Sequence, residues 1–270
     1  MNQTQTLAPQ LPDADETPVP FSRLLGVEFR KAWDTKAGFW LIAVIGLLVA
    51  IAEVIVLIVS IVNNDSDASW GNFTAVAAFI TSVLLPVLGI MLVTTEWTQR
   101  TAMVTFTLES RRSRVVLAKL LVGVLLTVAT IVLALVVGAV CNLIFTASGG
   151  EAVWWDQEFT DGLIGFAITQ TLAMFTGFAL AALLLNTAAS IVVFFAYRYV
   201  VPGLIALGAA NIGWIDKLAP WINFLDAQQY LYELSEMTGK QWAHFVVSAL
   251  IWVGIPLALG LRRILKAEVK

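Results

Sequence analysis

Cysteine and histidine are nearly missing from this chain: 270 residues hold one of each. Cys141 alone cannot close an internal disulfide, and inside an apolar run it reads as a small filler. One thiol and one imidazole fall short of the ligands a protein-only zinc site takes. His244 alone leaves no HExxH, and no GxSxG occurs, so the common hydrolytic patterns are excluded. A phosphate loop is also lacking. The one Gly-Lys pair, Gly239-Lys240, has Leu234 where a Walker pattern needs its first glycine. Charged residues make up only 13% of the chain. The basic ones are dispersed rather than gathered into a patch, which speaks against nucleic acid as a partner. Residues 1–20 have neither a basic start nor an apolar core, so they read as a disordered cytoplasmic tail and not a signal peptide.

Apolar residues dominate instead. They reach 59% of the chain, with a mean hydropathy of +0.84, more than one soluble core can bury. A bilayer core of about 30 Å needs about 20 apolar residues per helix. Six runs meet that length: 39–62, 73–95, 120–145, 162–185, 187–210 and 243–261. The fold expected is an all-α integral membrane domain over 21–270 with six transmembrane helices.

The runs divide the charges unequally. Thirteen of the 16 Lys and Arg fall before the first run, between the second and third, or after the last. These are Arg23, Arg30, Lys31 and Lys36; Arg100, Arg111, Arg112, Arg114 and Lys119; and Arg262, Arg263, Lys266 and Lys270. The alternate gaps are acidic, carrying Asp65, Asp67, Glu151, Asp156, Glu158, Asp161, Asp216, Asp226, Glu233 and Glu236. Because Lys and Arg are retained on the cytoplasmic side, both termini are expected inside.

Several segments carry more detail. In 21–36, Phe21, Leu25 and Phe29 recur at i, i+4 and i+8 with Arg23, Arg30 and Lys31 beside them. That spacing fits an amphipathic helix in the inner interface. The segment 96–119 is the longest cytoplasmic loop, with one or two short helices expected around 101–108 and Lys119 snorkelling to the interface. Pro86 can kink the second span. Leu185-Asn186-Thr187, without charge, must turn tightly between the fourth and fifth. Pro202-Gly203 predicts a break in the fifth. Trp154 and Trp155 read as an interfacial belt, and 213–242, rich in Trp and Tyr, as short outer helices.

Glu53 and Arg198 are the ionisable side chains well inside the runs. Each costs at least about 2.5–3.5 kcal/mol to insert alone. Their depths differ by roughly 5 Å at 1.5 Å per residue. A structural ion pair and a place on a substrate path both remain open. The basic run Arg111-Arg112-Ser113-Arg114 sets topology and meets anionic lipid; it can also dock a cytoplasmic protein.

Four stretches, RLLGVEFRKAWDTKAGFWL, TTEWTQRTAMVTFTLESRRSRVVLAKLL, NTAASIVVFFAYRYVVP and PLALGLRRILKAEVK, taken in order, resemble the membrane subunit of an ABC transporter of the ABC-2, type V exporter-like class, in its high-GC Gram-positive form. The resemblance covers about residues 21–270. Family loops after the second span commonly read Glu-aromatic-Arg-x-Gly-Thr; here Arg100 takes the Gly position, and Ser110 replaces a later Pro. The resemblance implies an exporter permease in a bacterial cytoplasmic membrane, without ATPase activity of its own. Two permease subunits, expected to be identical, would each rest on one ATP-binding subunit, which would hold ATP and Mg. Glu96, Trp97, Arg100, Thr101, Glu109, Arg111, Arg112 and Arg114 would form the docking loop with its coupling helix, Glu96 pairing with Arg100 four residues on. Phe21, Leu25, Phe29, Arg30 and Lys31 would belong to a connecting helix, and 213–242 would cap the exit. A complex for peptide-antibiotic immunity or sensing and an ion-coupled secondary transporter are the alternatives.

Overall fold

The computed structural model describes residues 19–63, 69–108, 111–150 and 157–266. Among these the chain is helical, with no strand. Six helical stretches are long and apolar enough to cross a membrane: Lys36–Val62, Trp70–Thr98, Arg112–Ala147, Phe159–Leu184, Thr187–Asn211 and Gly239–Lys266. They coincide with the six apolar runs. The tail up to residue 18, Asp65, Asp67 and the Trp154-Trp155 pair lie outside the described residues.

In chain order the helices are α1 (Phe21–Asp34), α2 (Lys36–Val62), α3 (Trp70–Thr98), α4 (Ala102–Leu108), α5 (Arg112–Ala147) and α6 (Gln157–Leu184). The fifth span is α7 (Thr187–Phe195), a π-turn at Ala196–Val200 and α8 (Val201–Asn211). Then come α9 (Gly213–Ile222), α10 (Phe224–Gln229) and a 3-10 turn at Tyr230–Glu236. The sixth span joins α11 (Gly239–Ala249), a π-turn at Leu250–Gly254 and α12 (Ile255–Lys266).

The connector after the second span is shorter than its sequence suggests. The stretch RSRVVLAK has no Gly or Pro to stop a helix, so α5 starts at Arg112 and not after Lys119. At 36 residues it is about 54 Å long, and its first turns extend the bundle at the basic end.

α3 and α6 form the packed heart of the bundle. In a bilayer, close packing has to do what the hydrophobic effect does in water, and small residues allow it. A Cβ on Gly89 would stand 2.6 Å from the Met174 carbonyl oxygen, and one on Gly177 would collide with the carbonyl of Pro86. α3 therefore runs through Pro86 with α6 lying directly against it. Ile90, Val93, Met174, Phe178, Ala181, Ala182, Phe194 and Ile264 bring α3, α6, α7 and α12 into one buried cluster.

The fifth and sixth spans also stay helical through their prolines. The Val201 N–H reaches the Ala196 carbonyl five residues back, one residue before Pro202. The Ile255 N–H reaches Leu250 in the same way, one residue before Pro256. Proline lacks the N–H that would bond four residues back, and the wider π-turn absorbs the mismatch. The break expected at Pro202-Gly203 is thus a π-turn just upstream. The fourth-to-fifth connection is the tight turn expected: Leu185 takes a left-handed φ of 52°, and the Asn186 side chain accepts from the Ala189 N–H at 2.9 Å. Short helices fill 213–236, as the Trp and Tyr content suggests. They pack through Phe224 and Leu231 onto Phe245 and Val253, and Trp252 Nε1 donates to the Ile222 carbonyl at 2.7 Å. His244 is buried edge-on against Trp221.

A candidate coupling face at the basic end

α1 lies along the basic end with a split face. Leu24 is buried against Val115 and Ala118 of α5, with Phe21 and Leu25 beside them. Phe29, Val27 and Trp33 are exposed, and Arg30 is exposed too. The i, i+4, i+8 row is therefore not one contact stripe: Phe21 and Leu25 turn inward and Phe29 turns out. Steps of four drift 40° each on a helix of 3.6 residues per turn, enough to carry the third residue off the face.

On the inward face, four residues beyond Leu24, sits Glu28, which is only 2% exposed. It is the centre of the most highly charged buried site described. Glu28 Oε1 pairs with Lys31 Nζ at 2.7 Å, and Oε2 with Lys119 Nζ at 2.6 Å. Glu96 Oε1 pairs with the same two ammonium groups, at 2.7 Å and 3.2 Å. The Thr105 hydroxyl donates to Glu96 Oε1 at 3.1 Å. Two carboxylates and two ammoniums thus neutralise one another, and each charge has a charge-assisted hydrogen bond, the condition for tolerating buried ions. Burial pulls the Lys31 amine down, but its hydrogen bonds to Glu28 and Glu96 and their negative charges outweigh that, so its pKa ends above the ordinary lysine value. The cluster ties α1 to the end of α3, the first turns of α5, and α4. It also forms the polar wall of a cavity of about 520 Å³, whose other wall includes Leu41, Ile42, Leu88 and Leu92.

Two expectations change here. Lys119 does not snorkel to the interface; it is buried, because two carboxylates meet it in the bundle. Glu96 does not pair with Arg100. α3 ends between them: the Thr101 N–H bonds the Glu96 carbonyl at 2.9 Å and the Arg100 N–H bonds Trp97 at 3.3 Å. This is a Schellman ending with Arg100 at its left-handed position, φ 57°. That conformation suits glycine, which accounts physically for the Gly that the resembling family carries there.

The remaining docking-loop residues are divided by the structure. α4 buries Ala102 and turns Met103 and Val104 outward, 50% and 59% exposed. Thr101 is exposed and Trp97 half-buried. Arg114 donates to the Val19 carbonyl at 2.7 Å. Arg112 donates to the Ile264 and Leu265 carbonyls at 3.2 and 3.4 Å, capping α12. Two arginines of the basic run are thus engaged by the chain's own ends; Arg111 is exposed, and Glu109 lies outside the described residues. Beside this face, the Thr187 hydroxyl donates to Thr94 at 2.8 Å and stands 3.0 Å from Thr98, holding the α6–α7 turn to the end of α3. Sequence reasoning passed over Glu28 and the threonines. Glu28 did leave a trace, as an acid four residues from Leu24, on the inward face of a helix whose basic residues are Arg23, Arg30 and Lys31.

Inside the spans, Glu53 and Arg198 do not pair. Glu53 is fully buried and neither carboxylate oxygen has a hydrogen-bond partner. Arg198 donates to Ser82 Oγ at 3.2 Å and lines a separate cavity. Similar depth did not suffice, because the two helices present these side chains to different neighbours.

Residues 24–208 match the family model described as ABC-2 family transporter protein. No curated protein matches the chain.

Proposed function

The chain belongs to the ABC-2 family of transporter proteins, and from that premise we propose that it is the permease of an ATP-driven exporter whose energy comes from a separate ATP-binding subunit. That it is a multi-pass membrane protein and an ABC-transporter permease follows from the family and the six apolar helices. The rest is our reading. Two permease copies pair as a homodimer in a bacterial cytoplasmic membrane. Each rests on one ATPase, which holds ATP and Mg, and the permease contributes no hydrolytic residue.

The carrying observation is the ion cluster beneath α4. The exposed Met103 and Val104 give α4 an apolar outer face for a protein partner. On its inner side, Thr105 is hydrogen-bonded to Glu96. Glu96 and Glu28 share Lys31 and Lys119, so displacement of α4 reaches α1, α3 and α5 through short, charged links. ATPase closure against α4 thereby tilts the second and third spans with the connecting helix.

The test is a mild-detergent pull-down of the tagged chain from native membranes, followed by mass spectrometry. A stoichiometric protein with Walker motifs is expected, lost in Met103→Glu/Val104→Glu. Recovery of no ATPase after cross-linking would end the coupling reading.

A further inference from the structure

The second cavity lies far from the basic end, on the inner side of the fifth span. It holds about 270 Å³ between α3, α6, the π-turn and the outer helices. Its polar lining includes Ser82, Thr169, Gln170, Arg198, Gln229 and Tyr232, and its apolar lining includes Phe79, Ala173, Phe194 and Leu225. The Tyr232 phenol and the Thr169 hydroxyl are 3.0 Å apart. Gln170, 1% exposed, gives its amide N–H to the Ala78 carbonyl at 3.0 Å and has no partner for its oxygen.

Among the described residues, Arg198 is the only charged side chain in this lining. It sits near the middle of a span, where an ionisable group marks function by default. A guanidinium offers five N–H donors; one hydrogen bond, to Ser82, is formed. Among the described residues no carboxylate pairs with it. The π-turn that carries it is itself a feature that gathers at functional sites. A planar fork with spare donors matches a carboxylate or phosphate bidentately, and the apolar lining beside it suits a hydrocarbon chain. The cavity has room for a head group and the start of a chain that then leaves along the exposed face of the fifth span.

We propose that this cavity binds the anionic head of an amphiphile, with Arg198 as its counter-ion and Ser82, Gln229 and Tyr232 as flanking hydrogen-bond groups. That the amphiphile is cargo rests on the exporter reading; that it binds here does not. The anionic head belongs either to a single-chain acid or to a bilayer phospholipid.

The experiment uses the full chain in phosphatidylcholine nanodiscs with a diazirine-bearing palmitate as probe, and maps the cross-links by mass spectrometry. Labelling is expected on Phe79, Tyr232 and their neighbours, competed by laurate and dodecyl phosphate but not by dodecyltrimethylammonium. Arg198→Gln is expected to lower it at least tenfold, and Arg198→Lys to retain a substantial part. Ala173→Trp keeps the arginine and fills the cavity; it is expected to abolish labelling, and it decides the matter if Arg198→Gln fails to fold. A further loss of labelling in phosphatidylglycerol nanodiscs assigns the site to a bilayer lipid, and none assigns it to a single-chain acid. Equal competition by the cationic amphiphile, or full labelling in Ala173→Trp, overturns the proposal. None of these arms needs an ATPase, so the site and the exporter reading fail separately.

Discussion

The fourth and fifth spans are about equally apolar, yet half of the fourth span's most apolar window is buried within the chain against 6% of the fifth's. Membrane insertion explains neither figure, since lipid solvates both alike. The difference lies in what the small residues meet, since both spans are rich in Gly and Ala: a Cβ on Gly203 of the fifth span would have nothing within 4 Å. α6 brings Gly165, Gly177, Ala179, Ala181 and Ala182 to its neighbours, and a Cβ on Gly165 or Gly177 would strike the facing backbone. The fifth span presents Val192, Val200, Leu204 and Leu207 outward. Burial inside a bilayer is decided by how closely backbones approach, and apolarity only admits a helix to the bilayer.

The comparison is broken most severely by Gly177→Leu. Its side chain has no space against Pro86, and the expected outcome is loss of about 3 kcal/mol or of folded protein altogether, read by thermal unfolding in detergent. Leu207→Ala, on the exposed face of the fifth span, is expected to stay within about 0.5 kcal/mol in the same assay. A large effect there would mean that this face is covered.

Charges sharpen the contrast. Glu28→Gln leaves Lys119 and Lys31 with one carboxylate between them and is expected to cost about 3 kcal/mol, as breaking a buried pair does. Arg198→Gln removes a charge bonded only to a serine hydroxyl, so the melting temperature of the chain is expected to change little while amphiphile labelling falls.

Smaller effects come from the ends of the packed helices. Arg100→Gly removes left-handed strain at the Schellman position and is expected to stabilise by about 1 kcal/mol. Failure to stabilise would point to a function for the arginine itself. The smallest effect is alkaline. Lys31 has a raised pKa in the folded chain, so its contribution is complete below the ordinary lysine value of 10.5 and is lost as pH rises through the folded value. A shallow alkaline limb in the pH dependence of melting is expected, and Lys31→Met is expected to flatten it.

Much of the architecture was legible in the chain. The spans could be read because each must be continuous and apolar for about 20 residues. The short helices over 213–236 could be read from Trp and Tyr, and the tight α6–α7 turn from the lack of spare residues. The candidate site was legible only in part. The loop after the second span was placed, and α4 falls where a short helix was expected. Glu28 and Lys119 are 91 residues apart, and nothing local in the chain tells which charges meet. The Glu96–Arg100 expectation assumed a continuing helix, and the helix stops at Thr98.

Sequence by itself determined that this is a six-span membrane protein with 13 of its 16 Lys and Arg in alternate gaps between the apolar runs, because insertion reads hydropathy and charge segment by segment. Only the tertiary structure decided which charges neutralise one another, which spans pack within the chain and which keep an exposed face, and that Arg198 looks into a cavity and not at Glu53. Those outcomes depend on contacts between segments far apart in the chain, where close packing and the high cost of an unpaired buried charge select a single arrangement.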